Sequence, residues 1–205
     1  MHLFVYLLLP YFARKNILLN PIIIRTSAHG KGGVISYGKI RWQVDKKCKE
    51  DPHAWVTTLL DYYGLPTDFP AMDSVGCSTD RAKAVEKAFQ DDIAQRNFIA
   101  NLVVHEFEGL LFSSPDAFRN WFSSPDVVIS LKAVKNGFKT PEDINDGKTT
   151  APSKRILNIC KGYNKILHGS LIAQDIGLDI IRQECPLFDG WIKKLESLAS
   201  TGGAS

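Results

Sequence analysis

At 205 residues the chain has room for one domain, with at most a small appendage, and buries enough surface to need no disulfide staples. Apolar residues make up 44% and charged residues 23%, the balance of an ordinary soluble globular protein, and a net charge of +3 permits a nucleic-acid partner without demanding one. Cys48, Cys77, Cys160 and Cys185 form no Cys-x-x-Cys pair and suit no usual zinc site, so four reduced thiols in a cytoplasmic protein are expected.

The opening "MHLFVYLLLPYFARKN" has no basic residue ahead of its apolar run and no small-residue cleavage site before Arg14 and Lys15, which argues against a signal peptide. It is too short to span a bilayer. It reads as a buried helix that starts without a cap, so a segment ahead of Met1 is expected. "NPIIIRTS", Asn20 to Ser27, follows a turn-forming Asn-Pro and is β-branched, the pattern of a strand. The glycine-rich "AHGKGGVISYG" carries His29, Lys31 and Lys39 but has neither P-loop nor dinucleotide-fold spacing; it is a flexible basic loop or a loop touching phosphates, with Lys31 as the candidate contact.

"SYGKIRWQVDKKCKED" places Ile40, Val44 and Cys48 on one helical stripe. "AWVTTLLD" reads as a buried strand and "STDRAKAVEKAFQDDIAQ" as a helix capped by Ser78 or Thr79. "NFIANLVVHEFEGLLF" begins as a strand and turns helical near Phe107. Strands alternating with helices predict an α/β fold with a parallel sheet and crossover helices. After Ser113 two Ser-Pro-Asp openings each start a helix, with serine as cap and proline in the first turn. Another Pro-opened helix follows "KTPEDINDGKTTA", and two more are separated at Pro186. The chain thus divides into an α/β part over about residues 1–112 and a helical part over about 113–200, with no linker between them.

Three carboxylates stand at ends of predicted strands. Asp61 closes one, as a turn cap or as a ligand; Glu106 and Glu108 close the next, as a solvated helix start where acids favour the dipole or, at i and i+2 of a strand, as a pair that projects together. In an open parallel sheet the carboxyl ends of the strands form the ligand crevice. Clustered carboxylates need a cation, and oxygen-only ligands suit Mg²⁺ or Mn²⁺. His105 is a hydrogen-bonded structural residue or a further ligand. Lys154 and Arg155 fall in the first turn of the helix opened by Pro152, where cations are unfavourable unless an anion such as phosphate sits there. Tyr62, Tyr63 and Phe69 pack the Asp61 loop or stack on bases.

"TTLLDYYGLPTDFP", "HEFEGLLF", "INDGKTTAPSKRI" and "GSLIAQDIGLDIIRQECPLFDGWI" together resemble the bacterial domain-of-unknown-function 4276 family, over about Phe4 to Leu198. The resemblance implies a Toprim-like parallel sheet, related to the nuclease half of overcoming-lysogenization-defect proteins, and Mg²⁺- or Mn²⁺-dependent phosphodiester cleavage. It implies DNA or RNA as substrate, an ATPase partner and a role in phage defence, without a membrane. Asp61 matches the first acid of a DxD pair whose second position is Tyr63 here; Glu106 and Glu108 match a further acidic pair, and Lys154 a late catalytic lysine. Relatives begin with a strand and an EGxTE-like motif, where this chain has Met1 and His2. A degenerate, non-catalytic module that binds an ATPase or nucleic acid is the alternative, and a phosphotransfer enzyme on a small nucleotide shares the same site.

Overall fold

The computed structural model describes residues 2–24, 36–104, 106–144 and 150–201. Two compact units emerge, Ile22–Val104 and a second made of Met1–Pro21 with His105–Ser205. The fold is α/β with little sheet: helices dominate, and the sheet consists of two small parallel strand pairs.

In the Ile22–Val104 unit, α2 (Tyr37–Glu50) buries the expected Ile40, Val44 and Cys48. Its first N–H accepts no help from a local serine; Asp68 takes it instead, with Tyr37 N donating to Oδ1 at 3.0 Å. Helix α3 (Ser78–Ile93) buries Ala82, Val85, Phe89 and Ile93. The residue at its N-cap is Cys77 rather than Ser78 or Thr79, and its thiol donates to Asp80 Oδ2 at 3.1 Å. Phe89 sits edge-on to Phe69 at 5.0 Å, Phe98 at 5.2 Å and Tyr37 at 6.0 Å, the aromatic centre of this unit.

Strands β1 (Val56–Thr57) and β2 (Leu60–Asp61) pair in parallel with β3 (Phe98–Ile99) and β4 (Leu102–Val103). Val56 faces Phe98 and Leu60 faces Leu102, so both pairs share one register. The "AWVTTLLD" strand is therefore interrupted. At the break the buried Thr58 hydroxyl donates to Asn101 O at 3.0 Å and accepts from Asn101 N at 3.1 Å, replacing a backbone rung with a side chain. The opposite edge of the 98–103 segment is closed by α3. Gln90 Nε2 donates to Phe98 O at 3.0 Å, Ala100 N donates to Gln90 Oε1 at 2.7 Å, and Leu102 N donates to Glu86 Oε2 at 3.0 Å. Helix side chains thus close this edge of the sheet.

The expected strand Asn20–Ser27 does not form over residues 20–24; residues 25–27 lie outside the described set. Ile22 and Ile23 are more than half exposed, and β-branched residues make a strand only where a partner edge and a packed face support them.

In the other unit, α1 (His2–Ala13) packs on α6 (His168–Ile176), burying Leu8 and Phe12. A 3-10 segment Phe107–Ser113 buries Leu110, Leu111 and Phe112, and a second, Pro115–Asn120, leads into α4 (Pro125–Asn136). Ser114 and Ser124 occupy the cap positions before Pro115 and Pro125, as the Ser-Pro-Asp pattern predicts, but neither hydroxyl makes a capping bond. Helix α5 is Pro152–Ile159, α7 is Leu178–Glu184, and α8 is Pro186–Thr201, broken from α7 at Pro186 as expected. The N-terminus of α8 takes the Glu142 carboxylate, which accepts Leu187 N and Phe188 N at 2.8 Å each.

An ion network ties α1, α7 and α8 together. Arg182 donates to Asp189 at 2.6 Å and to both Glu196 oxygens at 3.1 and 3.0 Å, while Tyr11 also donates to Glu196 and Lys15 lies 3.1 Å from it. Burial alone pushes the Glu196 carboxyl up, but Arg182, Tyr11 and Lys15 outweigh it and bring it from 4.5 down to about 2. A lowered carboxyl contributes stability above its unfolded value and loses it as pH falls toward its folded one. Between pH 4.5 and about 2, wild type is therefore expected to lose stability that Glu196→Gln never had, measured by urea unfolding across that range.

Candidate functional site

The two glutamates predicted to end a strand lie just beyond it. Strand β4 stops at Val103; Glu106 is a single extended residue (φ −92°, ψ 157°) and Glu108 stands in the first turn of the 3-10 segment. The period-2 argument for their shared face does not apply; the Glu106 charge raises the Glu108 carboxyl only as the smallest of the causes acting on it. Gly109 N donates to Glu106 O at 2.9 Å and closes that turn. A Cβ on Gly109 would lie 3.4 Å from Pro141 O and 3.7 Å from Pro152 Cγ, ordinary contact distances, so the turn packs against the start of α5.

That contact gives Glu106 its partner. Ser153 N, in the first turn of α5, donates to Glu106 Oε2 at 2.9 Å. The anion that the sequence requires at this helix start is therefore supplied at least in part by the chain itself. Lys154 is exposed and makes no ion pair with a described carboxylate. Arg155 Nε donates to Thr150 O at 2.7 Å, and its guanidinium lies over the Phe138 ring at 5.4 Å, so it anchors the entry to α5.

Glu108 is 0% exposed. Lys165 Nζ lies 2.9 Å from its Oε2, a hydrogen-bonding ion-pair distance, while among the described residues no donor aligns with Oε1. Charge is balanced at one oxygen, and a buried acceptor left unsatisfied costs about 1–3 kcal/mol. Burial raises the Glu108 carboxyl, and Lys165 only partly opposes the shift. Tyr163 is also buried and its hydroxyl has no hydrogen-bond partner among the described residues; burial, then the charges of Glu108, Cys160 and Glu106, push it up, so it stays neutral. The Tyr163 hydroxyl would stand 3.0 Å from a Cβ placed on Gly169, which explains the glycine at the start of α6.

Sequence reasoning missed Tyr163 and Lys165. They come from the loop between α5 and α6, in "CKGYNKILHG", where the turn residues Gly162 and Asn164 are the sole signal. Asn164 Oδ1 accepts Ile166 N and Leu167 N at 3.0 Å each, and Asn164 N donates to His168 Nδ1 at 2.8 Å. These bonds fix the loop that delivers Lys165.

Asp61 ends β2 and is exposed, in the Ile22–Val104 unit, whereas Glu106 and Glu108 belong to the other. Tyr62 is buried beside Tyr63, 5.2 Å ring to ring, and Phe69 is in the core, so Tyr62 and Phe69 pack rather than offer stacking faces. Lys31 and His105 lie outside the described residues. Among the described residues, no three His, Cys, Asp or Glu side chains gather as a metal-ligand group. No described helix is long and apolar enough to cross a membrane. All four cysteines are free, as expected.

No curated protein and no solved structure matches the chain. Residues 4–196 match the family described as "Domain of unknown function (DUF4276)", the family that the sequence motifs resemble, and the chain belongs to it.

Proposed function

We propose that the protein is a Mg²⁺- or Mn²⁺-dependent phosphodiester-cleaving domain of Toprim-like type, acting on DNA or RNA, with Glu106 and Glu108 as its acidic centre. The observation that carries this reading is the buried Glu108 carboxylate, whose charge is met by one lysine ammonium and which lies close enough to Glu106 to be raised by its charge. That donor set fits a hard divalent cation, which takes carboxylate oxygens and repays the desolvation that an isolated buried carboxylate incurs.

Such a cation, when bound, lowers the pKa of a water and neutralises phosphate charge. The chain's own residues supply the rest. Ser153 N–H orients Glu106, burial excludes water from Glu108, and Lys154, exposed on the first turn of α5, offers positive charge to a phosphate backbone. An ATPase partner and phage defence belong to the same proposal through the family resemblance.

Incubation with supercoiled plasmid and with tRNA is expected to give cleavage in Mg²⁺ or Mn²⁺ that a chelator stops. One observation favours a non-catalytic binding module instead: Lys165 already neutralises Glu108. Calorimetry decides between them, since that module takes up no Mn²⁺ at Glu108 and cuts neither substrate.

A further inference from the structure

Lys165 and Glu108 form an unequal pair. The carboxylate is 0% exposed, while the lysine side chain is 54% exposed. Compare Arg182, whose nitrogens meet Asp189 and Glu196 through several aligned hydrogen bonds with all three side chains largely shielded. That pairing is built to stay. Lys165 meets Glu108 at 2.9 Å through a single ammonium and reaches it from solvent along a flexible four-carbon stem. The loop that carries it is held by Asn164 and His168.

We propose that Lys165 is an exchangeable counter-ion: its ammonium neutralises Glu108 in the metal-free protein and is displaced into solvent when a divalent cation takes the same carboxylate. This rests on the metal reading of the Glu106–Glu108 centre. Two cations compete for one buried anion, because like charges cannot share it without mutual repulsion. Lysine suits the role better than arginine would: a compact, strongly hydrated ammonium is readily returned to water. The lysine thereby keeps the site charge-balanced before loading and makes affinity for the metal weaker than the carboxylates alone would give.

Calorimetric titration of the full chain with Mn²⁺ tests this. Lys165→Gln is expected to bind Mn²⁺ about tenfold or more tighter than wild type, within the range of ordinary coupling between sites. Lys165→Arg keeps a competing cation and stays near the wild-type affinity, while Glu108→Gln abolishes uptake. If wild type binds through Glu108 but Lys165→Gln binds equally or more weakly, the exchange is overturned and the metal reading stands. If wild type takes up no Mn²⁺, or takes it up undiminished after Glu108→Gln, both fall. Should Lys165→Gln fail to fold, the NMR signals of reductively ¹³C-methylated wild type decide: the Lys165 resonance must move toward that of a solvent-exposed lysine on adding Mg²⁺, and a resonance that stays in place overturns the proposal.

Discussion

Glu108→Gln is expected to end the proposed Mg²⁺-dependent cleavage while leaving the fold as stable as wild type, or more so. The amide keeps the shape of the side chain but cannot provide an anionic oxygen to a cation, so the loss is expected to be about 100-fold or more in rate. The gain in stability has a separate cause. Burial lifts the Glu108 carboxyl above its ordinary 4.5, with Lys165 pulling the other way. The folded chain therefore holds this proton to higher pH than the unfolded chain does, and wild-type stability falls as pH climbs past 4.5, levelling once the folded carboxyl has ionised. Glutamine has no proton to lose, so the variant's advantage opens within that window and persists above it. Urea unfolding without divalent ions measures the gap, and a plasmid assay measures the loss. A variant that loses both activity and stability would assign Glu108 to the core alone.

Phe89→Ala is expected to destabilise the Ile22–Val104 unit by about 3–5 kcal/mol, the usual cost of removing a fully buried aromatic ring. Phe89 is 0% exposed and is the ring shared by Tyr37, Phe69 and Phe98. It joins α3 to α2, to the loop after β2 and to β3 at once, so no single neighbour can relax into the space. Phe89→Leu retains most of the volume and is expected to lose less, since a smaller cavity remains. Chemical denaturation of both variants checks the order, and equal losses would show that ring contacts rather than volume dominate.

The helices were legible where periodicity and start signals agreed. Ile40, Val44 and Cys48 recur at helical spacing and are buried together; Pro115, Pro125 and Pro152 open segments where proline is tolerated. Helix α6 was not read, because Leu167 precedes it and no serine, aspartate or proline announces its start. The sheet was over-read. "AWVTTLLD" has a strand's composition, but its ladder is broken at Thr58, whose hydroxyl bonds Asn101 across 43 residues. No local pattern reveals a bond of that separation. The acids Glu106 and Glu108 were found through a strand-end argument that the turn after Val103 replaces, whereas Lys165 was invisible because a loop brings it back from far along the chain.

Gln90 and Glu86 also cover the strand rim. Their amide and carboxylate already occupy Phe98 O, Ala100 N and Leu102 N along the rim of the strand. A rim with its donors and acceptors engaged is a poor template for recruiting a neighbouring molecule, so this margin is guarded against fibre-like self-association. A helix one turn apart in its two contacts thereby does for a two-stranded ribbon what barrel closure does for a large one.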